Sequence, residues 1–159
     1  VREIIFNILN HSNFINSRIE NSNVLDLYSG TGSFGIECIS RGAERATFIE
    51  QDTYATNVLK SNLIKLSIIN KSKIYNGKIE DILNIDIKQK FNIFFLFSSF
   101  KNIDFLKNLE LIKKRKYFSE NHIVVIHREK KFNDEFFNLL EIIETKIYGR
   151  SKIIFGVFN

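Results

Sequence analysis

Apolar residues in this chain fall into two alternating patterns. Short continuous apolar runs are separated by stretches in which apolar residues recur every three or four positions. The first pattern predicts strands buried on both faces, the second amphipathic helices. The spacing predicts a helix over 1–9, with Val1, Ile4, Ile5 and Ile8 on one face, and a strand over 23–28. A helix over 34–41, stopped by Gly42, leads to a strand over 46–50. A helix over 53–66 follows, with Ala55, Val58, Leu59, Leu63 and Leu66 at helical spacing. Beyond it come a short strand over 73–75, a short helix over 79–83 and a central buried strand over 92–97. The next elements are a helix over 105–116, a strand over 122–126 and a helix over 134–143. This alternation predicts an α/β fold with a parallel sheet and crossover helices. The end breaks the pattern: strand-like segments 144–148 and 152–158 flank Gly149-Arg150-Ser151, the spacing of an antiparallel hairpin.

Composition narrows the picture. A length of 159 residues with 44% apolar content fits one domain over 1–159. No apolar run reaches the length of a membrane span, and no signal-peptide pattern opens the chain. The lone cysteine, Cys38, cannot form an internal disulfide and reads as a small buried residue. A cytoplasmic protein, acting as a monomer, is expected. The chain opens with Val1 and has no methionine, so a native N-terminal segment is expected to precede it. A net charge of +5 is compatible with an anionic partner. Six basic residues lie between Lys101 and Lys116 (Lys101, Lys107, Lys113, Lys114, Arg115, Lys116) against Asp104 and Glu110. Such a run is a solvated helix face or a track for a phosphate backbone.

The candidate chemistry starts at Val24-Leu25-Asp26-Leu27-Tyr28-Ser29-Gly30-Thr31-Gly32-Ser33-Phe34-Gly35. An apolar strand runs into a glycine turn and then a helix, which places backbone N–H groups at the carboxyl end of a parallel strand. Gly30-x-Gly32-x-x-Gly35 with Glu50 twenty residues on satisfies a dinucleotide pattern. The same residues satisfy D-x-x-x-G-x-G with an acid ending the next strand, the S-adenosylmethionine pattern. Asp26 favours the second, because a carboxylate near the first glycine repels a pyrophosphate but tolerates a sulfonium and an ammonium.

Taken together, these segments resemble the bacterial small-subunit ribosomal RNA guanine-N2 methyltransferases of the RsmD type. The carriers are Val1-Arg2-Glu3-x-x-Phe6-Asn7-Ile8-Leu9, the loop at 24–35 followed by Ser40-Arg41-Gly42-Ala43, and Phe48-Ile49-Glu50-Gln51-Asp52. Asn57-x-x-x-x-Asn62-Leu63 and Tyr148-Gly149 complete them. The resemblance covers nearly all of the chain. It implies a Rossmann-like class I methyltransferase fold, a seven-stranded, mostly parallel sheet with a C-terminal antiparallel hairpin and helices on both faces. It also implies S-adenosylmethionine as cofactor and ribosomal RNA or the small-subunit particle as partner. Asp26, Ser29, Gly30, Thr31 and Gly32 would surround the methionine part. Glu50, beside Gln51, would accept from the ribose hydroxyls, and Gly77-Lys78-Ile79 would border the adenine.

Two departures from the family pattern stand out. Lys78 replaces an acid near the adenine. More consequentially, Asp-Pro-Pro-Phe after the fourth strand becomes Phe97-Ser98-Ser99-Phe100. Phe100 matches the aromatic residue that stacks on a flipped-out base, while Ser98 and Ser99 offer only hydroxyl acceptors. The lost carboxylate would have accepted hydrogens from the guanine amine and turned its lone pair toward the methyl group. One transition-state contact of this kind is worth about 10²–10³ in rate. The open alternatives are a weakened relative that still binds cofactor or RNA, activity through a serine hydroxyl, a local reading error and, outside this family, a dinucleotide-dependent oxidoreductase. His127-Arg128 follows a predicted strand and is expected near the ligand edge, whereas His11 and His122 read as surface or strand-edge residues.

Overall fold

The computed structural model describes residues 1–13, 18–97 and 104–159. Seven strands and five α-helices alternate along it: α1 (Arg2–His11), β1 (Asn23–Leu27), α2 (Ser33–Ser40), β2 (Arg45–Glu50), α3 (Thr53–Lys65), β3 (Ser72–Asn76), α4 (Ile79–Asn84), β4 (Phe91–Leu96), α5 (Asp104–Arg115), β5 (Phe118–Glu129), β6 (Leu140–Tyr148) and β7 (Ser151–Phe158). They form one sheet in the order β3-β2-β1-β4-β5-β7-β6. β1 pairs in parallel with β2 and β4, β2 with β3, and β4 with β5. β7 alone runs against its neighbours, antiparallel to both β5 and β6. The predicted seven-stranded sheet with a closing hairpin is therefore present.

Alternation along the central strands divides the core between two faces. Phe91, Phe94 and Leu96 of β4 join Leu83, Phe105, Leu109 and Ile112 under α4 and α5. Ile93 and Phe95 turn the other way, to Ile5, Phe6, Cys38, Leu59 and Leu63 under α1, α2 and α3. The α1 face is rotated from the expected one: Ile5, Phe6 and Leu9 are buried and Val1 is exposed. In α3 the buried residues are Thr56, Leu59 and Leu63, and Leu66 lies beyond the helix, exposed. Gly42 ends α2 as expected. With φ of +103° it lets the Ala43 N–H reach the Cys38 carbonyl and its own N–H reach that of Ile39, the Schellman arrangement.

The helix expected over 134–143 does not form. Its sequence is claimed by tertiary contacts instead. Asp134 makes a two-pronged ion pair with buried Arg128, at 2.8 and 3.0 Å, and Phe136 packs edge-on against Phe105. From Leu140 the chain is already β6, opposite Phe158. The Arg128 guanidinium also lies 4.6 Å from the ring centroids of Phe105 and Phe132, so it secures the 130–139 strap. His122 is likewise no surface residue. It is buried, its Nδ1 donates to the Ser119 carbonyl and its Nε2 accepts the Phe158 N–H. Burial lowers its pKa, which matches the neutral ring that these bonds require.

Candidate active site

The carboxyl ends of β1, β2 and β4 meet beside the glycine loop, where the strand order reverses direction from β1. Open α/β sheets bind ligands at this position. Tyr28, Gly30 and Gly32 turn the chain with φ of +56°, +58° and +88°. The Ser29 N–H donates to the Ile49 carbonyl and its hydroxyl to the Asp26 carbonyl. Asn108 of α5 donates to the Tyr28 hydroxyl at 2.7 Å. The loop is thus fastened to β1, β2 and α5.

The three glycines do different work. A Cβ on Gly35 would lie 2.3 Å from the Phe48 ring, and one on Gly32 would lie 2.2 Å from Leu59 Cδ1. Gly35 lets α2 pack tightly on the sheet, and Gly32 makes room for Leu59 of α3. A Cβ on Gly30 would meet nothing within 4 Å, so Gly30 faces the open space that a ligand would use.

Two carboxyl side chains each take one N–H of this stretch. Asp26 accepts the Gly35 N–H at 3.0 Å and is 3% exposed. Burial pushes its carboxyl up to about 8, and the nearby Glu50 charge adds to this against the Gly35 hydrogen bond. Glu50 Oε1 accepts the Gly30 N–H at 2.7 Å, and Oε2 accepts the Asp52 N–H at 2.8 Å. The Gly32 N–H goes to the Ser29 carbonyl. The Gly30, Gly32 and Gly35 N–H groups thus already have acceptors, of which the Glu50 carboxylate is the anionic one; a pyrophosphate would have to compete with it for the loop. Each Glu50 oxygen keeps a second lone pair for a hydroxyl donor.

Asp26, Ser29, Gly30, Gly32 and Glu50 are brought together, with Thr31 and Gln51 exposed at the rim. The Gly77 N–H donates to the Glu50 carbonyl at 3.0 Å, which joins the next segment to the same edge. There Lys78 is exposed and Ile79 is buried. Ser98, Ser99 and Phe100 lie outside the described residues. Phe97 is described. Its ring packs 4.1 Å from that of Phe34, 6.1 Å from Phe95 and 5.2 Å from His127. Phe97 therefore belongs to an aromatic cluster under α1 and α2. His127 lies at the ligand edge as expected, with Nε2 2.9 Å from the Ser151 hydroxyl, and burial lowers its pKa. Arg128 is turned inward to Asp134.

A surface cleft of about 670 Å³ opens beside this edge, lined by Glu129, Lys130, Lys131, Gly149 and Arg150. Sequence reasoning passed over these cations. The available signal was a basic pair directly after a buried strand and an arginine in the hairpin turn. By contrast, two members of the basic run at 101–116 have structural partners: Lys113 donates to the Asn138 carbonyl and Arg115 to that of Asn84. Lys101 lies outside the described residues. Among the described residues no cluster of His, Cys, Asp and Glu is arranged to hold a metal ion, and no helix is long and apolar enough to cross a membrane.

Comparison with known proteins agrees with this geometry. The family model described as "Conserved hypothetical protein 95" matches residues 1–157. Ribosomal RNA small subunit methyltransferase D of Buchnera aphidicola subsp. Baizongia pistaciae is 33% identical over 84% of this chain, which spans 64% of that relative's length. A conserved hypothetical protein of Streptococcus pyogenes superposes with a TM-score of 0.84 at 26% identity, covering 100% of this chain and 96% of its own. SMU.776, solved in complex with SAH, superposes with a TM-score of 0.72 at 13% identity, over 98% of this chain and 49% of its own; that likeness concerns the fold alone. The fold is thus that of the class I methyltransferases, and the chain belongs to the Conserved hypothetical protein 95 family, the family of the RsmD-type ribosomal RNA methyltransferases.

Proposed function

We propose that this chain is an S-adenosylmethionine-dependent RNA methyltransferase, acting in the cytoplasm as a monomer on the exocyclic N2 amine of a guanine in small-subunit ribosomal RNA. The observation that carries the reading is the glycine loop in which the Glu50 carboxylate takes the Gly30 N–H and Asp26 the Gly35 N–H, on the fold of this family. A loop with the Glu50 carboxylate at Gly30 suits a cationic, phosphate-free ligand. Bound S-adenosylmethionine supplies an electrophilic methyl group. Ser29, Gly30, Thr31 and Gly32 would line its methionine part, with Asp26 holding the loop in shape from below. Glu50, beside Gln51, would accept from the ribose, and Lys78 and Ile79 would border the adenine. The basic cleft at Lys130, Lys131 and Arg150 supports an RNA substrate, since phosphate contacts orient RNA without reading its sequence. Phe100 would stack on the target base, and Ser98 or Ser99 would accept a hydrogen from its amine.

One observation favours a second, narrower reading. Phe97 has no acceptor and is packed on Phe34 and His127. A relative that binds cofactor and RNA but transfers methyl groups slowly fits that packing.

Calorimetric titration with S-adenosylhomocysteine and, separately, with NAD tests the cofactor assignment common to both readings. Binding of S-adenosylhomocysteine with no heat from NAD is expected. Binding of NAD alone would overturn both and restore the oxidoreductase.

A further inference from the structure

In a parallel sheet all the amino ends share one edge, so the edge opposite the glycine loop collects the residues that open each strand. Here that edge is strongly basic. Arg45 opens β2, Lys73 lies near the start of β3, Lys88 and Lys90 precede β4, and Arg115 and Lys116 precede β5. Two clefts of about 290 Å³ each lie along it and share the segment 86–89. Between them they are lined by all six cations and by one acid, Asp86. None of the six makes an ion pair among the described residues. The guanidinium Nε of Arg45 is shielded from water and has no hydrogen-bond partner there.

The segment between the clefts is rigidly held. Ile87 is buried. The Tyr117 hydroxyl is 2.9 Å from the Leu83 carbonyl and 2.7 Å from that of Ile85, and Arg115 donates to the Asn84 carbonyl at 2.8 Å. Lys88 and Lys90 are exposed on either side of Gln89. The cations repel one another across this platform with one acid, Asp86, among them, and an anionic partner offsets that repulsion. From β3 to β5 the row crosses four strand spacings, about 19 Å, enough to meet several successive phosphates.

We infer that this edge is a second RNA-binding surface, which takes the phosphate backbone of the substrate away from the methyl-transfer site. The inference rests on the RNA-methyltransferase reading above. Five- and six-residue strands separate the two edges by about 20 Å. An RNA that touches both must be folded and extended; a short hairpin bearing the target guanine reaches only one.

The test is a variant carrying Lys73→Gln, Lys88→Gln, Lys90→Gln and Lys116→Gln, none of which belongs to the cofactor site. Its binding to full-length small-subunit ribosomal RNA is measured against potassium chloride concentration, beside calorimetry with S-adenosylhomocysteine. The variant is expected to bind the long RNA at least tenfold more weakly, with a salt slope reduced by about 3 for four lost phosphate contacts. Its S-adenosylhomocysteine affinity and its binding of a short target hairpin are expected to match those of the parent chain. Parent-like affinity and slope on the long RNA would overturn the surface and leave the RNA reading standing. Absence of salt-dependent RNA binding by the parent chain would overturn both. Tighter binding of poly-L-glutamate than of RNA at equal charge by the parent, lost in the variant, would overturn the RNA assignment in favour of an acidic protein.

Discussion

Gly35 faces Phe48 of the sheet, Gly32 faces Leu59 of α3, and Gly30 faces open space. The motif in the sequence marked all three alike, because a glycine demanded by packing and one demanded by a ligand are written with the same letter. Their substitutions separate the roles. Gly35→Ala drives a methyl group into the Phe48 ring and is expected to cost about 1–3 kcal/mol of stability, with S-adenosylhomocysteine affinity of the folded fraction kept. Gly30→Ala places a left-handed alanine in open space, at about 1–2 kcal/mol, and is expected to weaken S-adenosylhomocysteine binding about tenfold, the equivalent of 1.4 kcal/mol. Urea unfolding and calorimetry on both variants check the separation. The sequence marks Asp26 as a candidate but not its direction: its carboxyl is turned inward to the Gly35 N–H. With its pKa raised to about 8 when folded and about 3.9 when unfolded, the folded state holds a proton that the unfolded chain has released. Asp26 therefore lowers stability progressively as pH rises from about 4 to about 8. Asp26→Asn is expected to flatten that slope in urea unfolding at pH 5 and pH 8, and an unchanged slope would contradict the assignment.

The central strands β1, β2, β4 and the core of β5 were legible from apolar runs, because a strand buried on both faces is continuous in sequence; the half-exposed β3 and β6 gave weaker signals, and the first residues of β6 read as helix. β5 is longer than expected, reaching from Phe118 to Glu129, since its polar ends carry no apolar signal. The segment 134–143 misled for a different reason. Its spacing is helical, but Asp134 is held by Arg128 and Phe136 by Phe105, contacts between distant parts of the chain that no local pattern records. The same contacts make a prediction for the strap. Asp134→Ala leaves the Arg128 guanidinium buried without its carboxylate and is expected to cost about 3–5 kcal/mol, with new protease cleavage between residues 130 and 139. A loss under 1 kcal/mol in urea unfolding would show that the ring contacts of Arg128 hold the strap by themselves.

At the scale of the molecule, the sheet separates two jobs. Its carboxyl edge carries the glycine loop, Glu50 and the Phe97 cluster, and its amino edge carries a row of cations that make no ion pair among the described residues. In the proposed function the glycine loop and Glu50 hold the cofactor, while Phe97, in an aromatic cluster, stands where an amine acceptor would be wanted. Binding and turnover are therefore expected to respond to different substitutions. The most direct measurement is transfer of tritiated methyl from S-adenosylmethionine to small-subunit particles that lack the modification, with the RNA then digested to nucleosides. It is run for the chain and for a variant with Phe97→Asp, Ser98→Pro and Ser99→Pro. The account predicts label in N2-methylguanosine for both, with a rate about 10²–10³ higher in the variant. Absence of label from both, or label in any other nucleoside, would contradict it.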